Sequence, residues 1–134
     1  MSGPANLFTT VQRGMSAQMV RLNAATSNLA NAGSVSGTEQ SAYRPIRPVF
    51  AAEIDRATGL SNVRVAAVTP QETAPIRRHD PDHPLADENG YVWEAPVDEP
   101  GEMVEIMDSA RQYQNLVEAL QTAKQLMLDT MRSS

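Results

Sequence analysis

At 134 residues the chain is long enough for one modest hydrophobic core, but 41% hydrophobic and only 4% aromatic residues provide little bulk for a walled enzyme pocket. The formal net charge is −5 and Lys124 is the single lysine, so no basic stripe for nucleic acid exists. The absence of cysteine excludes disulfides, thiolate metal ligands and a cysteine nucleophile. We expect neither a cleaved signal peptide nor a membrane span, since no apolar stretch has the required length.

The first predicted element is a helix over residues ~5–32, which Asn6 caps and Ala32-Gly33 ends. Gly33 is expected to take the left-handed conformation there. Mostly apolar residues fall alternately three and four positions apart along this helix, which is typical of a coiled-coil seam rather than of a broad core-facing surface. The members of this first seam are Phe8, Val11, Met15, Gln18, Leu22, Ala25 and Leu29.

The last turns of this helix combine Asn23, Asn28 and Asn31 with small residues. Asparagine is a poor helix former, but small side chains let neighbouring backbones approach, and an asparagine amide both donates and accepts hydrogen bonds. We therefore expect a packing surface for several helices at this end. The alternative is a frayed helix end with ordinary capping asparagines.

The middle of the chain has a different character. Residues 34–42 are rich in Ser and Gly, which predicts a turn-prone linker that can be flexible. Residues 43–96 contain short apolar runs between prolines and turn residues, which predicts a small irregular β module with strands around 49–51, 63–68 and 91–93. Asn89-Gly90 is expected to form a two-residue hairpin turn, because both residues tolerate positive φ.

A second long helix is predicted over residues ~99–132. Asp98 or Glu99 can cap its start and Pro100 suits its first turn, whereas Gly101 is a local weakness. A second seam with the same alternating spacing follows this helix: Met103, Ile106, Ala110, Tyr113, Val117, Leu120, Lys124, Met127 and Met131.

Charge differs between the two predicted helices. Residues 1–32 contain Arg13 and Arg21 and no acid, whereas the second helix is rich in acidic residues: Glu102, Glu105, Asp108, Glu118 and Asp129. This complementarity would favour pairing of the helices and fix their register. The alternative is that both sets are solvated faces, because exposed ion pairs contribute only roughly 0–1 kcal/mol.

These elements predict a mainly α fold in which the two terminal helices form a coiled-coil-like pair and the small β module lies between them. The corresponding segments are an N-terminal axial helix at 1–33, the linker and β module at 34–98, and a C-terminal axial helix at 99–134. Narrow seams of this kind indicate assembly rather than catalysis.

The cluster of possible metal ligands between His79 and Glu88 contains two histidines and several acids. Pro81 and Pro84 prevent a helix there, so a fixed ligand scaffold is not expected. We interpret the segment as a turn in which Asp80 and Asp82 bond nearby backbone N–H groups. No catalytic, cofactor-binding or metal-binding residue is therefore predicted, and no cofactor or small-molecule substrate.

The segment Ser16-Ala17-Gln18-Met19-Val20-Arg21-Leu22-Asn23, followed by Ser27-Asn28-Leu29-Ala30-Asn31-Ala32, resembles the N-terminal signature of flagellar axial proteins, the rod, hook and hook-associated subunits. Asn-Leu-Ala-Asn is its most diagnostic part. Near the C-terminus, Glu102-Met103, Ala110-Arg111-Gln112-Tyr113-Gln114 and Lys124-Gln125-Leu126-Met127 are similar to the matching helix.

Within these axial proteins, the short length and the segment from Asp82 to Val92 are similar to the proximal members of the basal-body rod protein family, as is the segment from Tyr43 to Phe50. One departure lies before the last helix. The family usually has Pro-Asn-Val-Asn there, whereas this chain has Pro96-Val97-Asp98-Glu99-Pro100-Gly101.

The resemblance implies a structural subunit of the flagellar basal body that is not an enzyme. Such subunits pass unfolded through the flagellar type III export apparatus without a cleaved signal and stack helically into a hollow periplasmic rod, which is the drive shaft of the motor and its export channel. The implied partners are other copies, other rod subunits, and the ring and export-gate components of the basal body.

Seam positions and the asparagine-rich helix end supply the residues expected to pack between subunits. They are Val11, Met15, Leu22, Asn23, Asn28, Leu29, Ala30, Asn31, Met103, Ile106, Ala110, Tyr113, Val117, Leu120 and Met127. The alternative function is a soluble coiled-coil adaptor that joins two partners through its helices. An enzyme with a metal held by the loop at residues 79–88 is a more distant possibility.

Overall fold

The fold is that of a computed structural model, which describes residues 4–54, 56–57 and 59–133. Two long helices lie at the ends of the chain and two small antiparallel sheets lie between them. In chain order the elements are α1 (Pro4–Ala30), β1 (Val35–Ser36), β2 (Ile46–Ile54), β3 (Ser61–Pro70), β4 (Ile76–His79), β5 (Tyr91–Glu94) and α2 (Glu99–Arg132). Within the described residues, neither helix combines the length and apolar content that a membrane crossing requires.

Helix α1 lies where the sequence predicts it, but its start differs. It begins at Pro4, so Asn6 lies inside the first turns and the prediction that it caps the helix is wrong. Pro suits the first helical position because its missing N–H has no intrahelical acceptor there. At the other end Gly33 has φ of +79°, which confirms the predicted left-handed residue after the helix.

Helix α2 confirms the second predicted helix. The Asp98 side chain caps it by accepting a hydrogen bond from the Gly101 N–H at 3.2 Å. A β-carbon at residue 101 would collide with the Asp98 carboxylate. Gly101 is therefore not merely a weak helix former, because it makes room for the cap at the segment where the sequence departs from the family pattern.

The predicted strands form two separate sheets. Strands β2 and β3 make a long hairpin with a bulge between Val49 and Phe50, and β5 lies between β1 and β4 in the other sheet. Strand β1 falls inside the predicted linker and pairs with β5, so part of that segment is held by a sheet. The β module is thus present, but its strands are longer than the apolar runs alone indicate.

The turn predicted at Asn89-Gly90 is wrong. Strands β4 and β5 do pair, but the connection runs from Asp80 to Gly90, and no described non-glycine residue has positive φ. Gly90 alone has φ of +83°, and the Asp87 side chain accepts hydrogen bonds from the Asn89 and Tyr91 N–H groups, both at 2.9 Å. A carboxylate that bonds to backbone N–H groups thus shapes this loop.

Helix α1 occupies the centre of the molecule, with contacts to α2 and to both strands of the β2–β3 hairpin. Three of its buried residues are alanines, Ala17, Ala24 and Ala25, beside Val11 and Asn28. Small side chains let three elements approach one helix closely, which explains how so few aromatic residues suffice for this core.

Candidate assembly surface

The two long helices pack against each other within one chain and run antiparallel. Gly14 of α1 faces Leu116 of α2, where a β-carbon would lie only 3.2 Å from a Leu116 methyl group. Later residues of α1 meet earlier residues of α2, ending with the hydrogen bond from Asn28 to Glu102 at 3.1 Å. Ala25 and Ala123 are fully buried. The helices therefore close on each other through glycine, alanine and polar side chains.

Opposite charges meet at the middle of this helix pair. Arg21 donates hydrogen bonds to Glu105 at 2.7 Å and to Asp108 at 2.9 Å. The hydrogen bond to Glu105 contributes most to raising the pKa of Arg21 above its ordinary value, while burial opposes that rise. Arg13 pairs instead with Glu53 of the hairpin. The predicted charge complementarity between the helices is thus confirmed at Arg21, and Arg13 ties α1 to the β module.

A buried polar network joins α1, α2 and the hairpin at one end of the molecule. Asn28 is fully buried, and its carbonyl oxygen accepts hydrogen bonds from the Ile46 N–H and the Tyr43 hydroxyl, both at 2.8 Å. Its amide donates to the Ile46 carbonyl at 3.0 Å and to Glu102. Arg47 forms a two-bond ion pair with the buried Glu102 carboxylate, and this hydrogen bonding is the main cause that raises the pKa of Arg47.

Every group in this network has a partner, because no buried side-chain nitrogen or oxygen among the described residues lacks a hydrogen bond. Asn28 is therefore neither a frayed end nor an ordinary cap. It is the point at which the hairpin is joined to both helices, and a satisfied buried network of this kind fixes one arrangement of the elements.

At three positions of the first predicted seam and four of the second, the contacting or buried residue lies one position earlier in the chain. The helix contacts are made by Gly14, Arg21 and Asn28 where the first seam has Met15, Leu22 and Leu29. On α2 the contacting or buried residues are Glu102, Ser109, Leu116 and Ala123 where the second seam has Met103, Ala110, Val117 and Lys124. The physical reason is that close approach needs small residues and ion pairs, which a search for apolar periodicity passes over.

The displaced seam residues form a second surface, which we call the outer flank. Met15, Met19 and Leu22 follow one side of α1, and successive residues three or four positions apart follow one side of α2. An open groove of about 470 Å³ lined by Met15, Met19 and Tyr113 shows that the two sides adjoin. The outer flank consists of Met15, Met19, Leu22, Met103, Met107, Ala110, Tyr113 and Val117.

The flank is apolar and partly open to solvent in the single chain. Met19, Met103, Met107 and Ala110 are exposed, and Met15, Leu22, Tyr113 and Val117 are half-buried. Met107 and Met19 were not predicted as packing residues, although each lies four positions from a predicted methionine. Contiguous exposed apolar surface of this kind marks a site of interaction.

The remaining predicted packing residues fall into three groups. Val11 and Asn28 are covered within the chain itself. Asn23 and Ala30 are exposed on α1 near its end. Half-buried side chains are those of Leu29, Asn31, Ile106, Leu120 and Met127. The packing of all these residues between subunits stays a prediction. Val11 and Asn28 are buried within the chain, so their side chains are not accessible to a neighbouring subunit.

The loop with the possible metal ligands brings no group of three or more His, Cys, Asp or Glu residues together among the residues described. Asp87, rather than Asp80 or Asp82, bonds the backbone N–H groups of the turn. The Nδ1 atom of His83 accepts a hydrogen bond from the Leu85 N–H at 3.0 Å, and the His79 ring lies edge-on to Tyr91.

Comparison with known families matches residues 88–133 to the model described as flagellar basal body rod FlgEFG protein C-terminal. This segment contains β5 and the whole of α2, whose ion pairs and exposed flank are described above. The match assigns that part of the chain to the class of flagellar rod proteins.

Similarity to individual proteins extends over nearly the whole chain. The chain is 42% identical over 128 residues to the flagellar basal-body rod protein FlgC of Salmonella typhimurium, with 94% of each chain covered. It is 44% identical over 129 residues to FlgC of Yersinia enterocolitica and 40% identical over 126 residues to FlgC of Escherichia coli O157:H7, again with 94% coverage of each. The chain belongs to the FlgC family of flagellar basal-body rod proteins, which confirms the resemblance seen in its terminal motifs.

Proposed function

We propose that the chain is a structural subunit of the proximal rod in the bacterial flagellar basal body, and that it polymerises with other rod subunits through the outer flank. Membership of the FlgC family supports the place in the rod. The observation that supports the mode of assembly is the flank itself, because the helix pair already satisfies its polar contacts within one chain and leaves an apolar side uncovered.

The intramolecular contacts hold the helix pair together, and the flank is the surface proposed for assembly. Small and polar residues hold α2 against α1. The methionine, leucine and valine side chains of the flank lie beside this contact and are available to pack against a helix of another subunit. A contact between the flank of one subunit and a different surface of the next is heterologous. Such contacts continue as a helix rather than closing into a ring, which is the geometry that a rod needs.

In this proposal residues 1–33 and 99–134 build the wall of the hollow shaft that carries torque and surrounds the export channel. Residues 34–98 lie outside it as a spacer toward neighbouring subunits and the surrounding ring and export-gate components. The subunit reaches the periplasmic rod through the export apparatus without a cleaved signal, and it performs no catalysis. The alternative is a soluble coiled-coil adaptor, in which the helices join two partners outside the rod.

A charge substitution in the flank tests the proposal. Ala110→Asp places a carboxylate on the exposed flank without disturbing contacts inside the chain, whereas assembly would bury it without a partner. A penalty of several kcal/mol at every contact of a polymer should abolish motility in a flagellated bacterium that carries only this variant. Basal bodies isolated from these cells should lack the protein.

The matched control is Asn115→Asp, which adds the same charge to an exposed position of α2 outside the flank. Both variants should have the circular dichroism spectrum and thermal unfolding of the unchanged chain. Normal motility of the Ala110→Asp strain would refute assembly through the flank. An adaptor would instead leave isolated rods complete in both strains.

A further inference from the structure

Methionine supplies much of the apolar surface of the outer flank. Met15, Met19, Met103 and Met107 all belong to it. Met103 and Met107 lie one helical turn apart on α2 and are 54% and 62% exposed. A thioether adapts to differently shaped partners, but its sulfur is also the atom that peroxides oxidise.

We propose that Met103 and Met107 form an oxidation site that controls incorporation of the subunit, an inference that rests on the proposed function. Hydrogen peroxide is the oxidant in this reaction. The sulfur lone pair attacks one peroxide oxygen, an S–O bond forms and the O–O bond breaks. The sulfur loses two electrons, and the departing hydroxide takes up the proton of the new sulfur-bound hydroxyl to become water, which leaves the sulfoxide.

Within the outer flank these two methionines are the most exposed, since Met19 is 38% exposed and Met15 is half-buried; Met131 is 67% exposed but lies outside the flank, near the end of α2. Met15 and Met127 are half-buried, so a peroxide approaches their sulfur atoms less freely. The chain contains no cysteine, so no thiol within it competes for the oxidant. Once the flank is covered by a neighbour the sulfur atoms are shielded, and oxidation therefore acts on the subunit before it is incorporated.

The sulfoxide changes what the flank can bind. Its oxygen is polar and requires a hydrogen-bond donor when it is buried, whereas the thioether that it replaces packs against apolar side chains without one. We expect the association constant for a neighbouring subunit to fall by about tenfold or more. Methionine sulfoxide reductases, one for each epimer, reverse the change.

The first experiment measures where oxidation occurs. The purified full-length chain is exposed to limiting hydrogen peroxide, and peptide mass spectrometry follows the addition of oxygen at each methionine. Met103 and Met107 should be oxidised before Met15 and Met127, and a mixture of the two reductases should restore them. Oxidation of Met15 or Met127 at the same rate or faster would overturn the proposal.

The second experiment separates oxidation from the wider role of the flank. Met103→Gln with Met107→Gln imitates the polar sulfoxide, whereas Met103→Leu with Met107→Leu keeps the positions apolar and cannot be oxidised there. In strains that carry only one variant, the glutamine pair should abolish motility. Added hydrogen peroxide should lower the amount of the unchanged chain in isolated basal bodies more than that of the leucine pair, each compared with its own untreated culture. Circular dichroism should show both chains folded, since these side chains are exposed.

Motility with the glutamine pair, or an equal peroxide-induced loss of the unchanged chain and of the leucine pair from basal bodies, would overturn the proposal, because polarity or oxidation at these residues would then not decide incorporation. The Ala110→Asp variant keeps this result distinct from the proposed function. If Ala110→Asp abolishes motility while the glutamine pair does not, assembly through the flank stands and only the oxidation site is refuted. If Ala110→Asp also leaves motility unchanged, the proposed assembly itself fails.

Discussion

Replacing Asn28 by Asp changes one atom of the buried network and tests whether that network joins the hairpin to the helix pair. The side-chain oxygen that accepts from the Ile46 N–H and the Tyr43 hydroxyl is retained. The amide that donates to the Ile46 carbonyl and to Glu102 becomes a second carboxylate oxygen. Two attractive contacts are thereby turned into repulsive ones at a site that is fully buried.

The size of the effect follows from these contacts. Two lost hydrogen bonds cost about 1 kcal/mol each. The new carboxylate also faces Glu102, so a buried charge lacks a counterion of its own. Disrupting buried charge pairs in this way typically costs about 3–5 kcal/mol, and we expect the free energy of unfolding to fall by that amount. Domains of this size are stable by roughly 5–15 kcal/mol, so the loss is a large share of the total.

Urea unfolding followed by far-ultraviolet circular dichroism measures the change. Asn23→Asp is the matched control, because it makes the same chemical change on an exposed side chain of the same helix. Its free energy of unfolding should stay within about 0.5 kcal/mol of the unchanged chain. If the free energy of unfolding of Asn28→Asp lies within about 1 kcal/mol of that of Asn23→Asp, the network does not hold the elements together and the reasoning is refuted.

Gly101→Ala should lower the free energy of unfolding by about 1 kcal/mol through loss of the Asp98 cap, although alanine is the better helix former; a higher melting temperature for this variant would contradict the steric argument. Arg21→Met should lower the free energy of unfolding in urea by about 1–3 kcal/mol, because its partners on α2 lose charged hydrogen bonds. Arg13→Met should lower it by at most about 0.5 kcal/mol, because the ion pair of Arg13 is exposed. Equal costs for the two arginines would show that burial does not decide the strength of these pairs. His83→Gln should leave motility intact and lower the melting temperature slightly, because the Nδ1 atom that accepts from the Leu85 N–H is replaced by an amide oxygen farther out on the side chain. Bound metal in the unchanged chain that disappears in this variant would contradict a purely structural loop.

The two helices and their ends could be predicted from the sequence because their signals are local. Asp98 caps α2 and Gly33 takes the left-handed conformation after α1, since each conformation depends on only a few neighbouring residues. The terminal motifs were enough to indicate the family, because Asn-Leu-Ala-Asn is contiguous in the chain. The short apolar runs also predicted the presence of β strands between the helices.

The register of the helix pair was decided only by the tertiary structure. Apolar periodicity indicates a stripe on each helix, but Met15 and Gly14 are neighbours on the surface of α1 and periodicity does not say which one meets α2. At Gly14 the helices approach closely because glycine has no side chain, and a β-carbon there would be in tight contact with Leu116 at 3.2 Å. The apolar residue beside it is left on the outer flank, where it is open to another subunit.

The ion pair between Glu102 and Arg47 could not be predicted from the sequence either. In the sequence Glu102 is an ordinary acid in the first turn of a helix and Arg47 is one charge among prolines, and 54 residues separate them. In the fold they form an ion pair whose Glu102 carboxylate is buried and also accepts a hydrogen bond from Asn28. What the sequence alone determined was therefore local: helix caps, apolar stripes and motifs. Which stripe faces inward, and which remains for assembly, depends on long-range packing and charge pairing, since both require residues that meet only after the chain has folded.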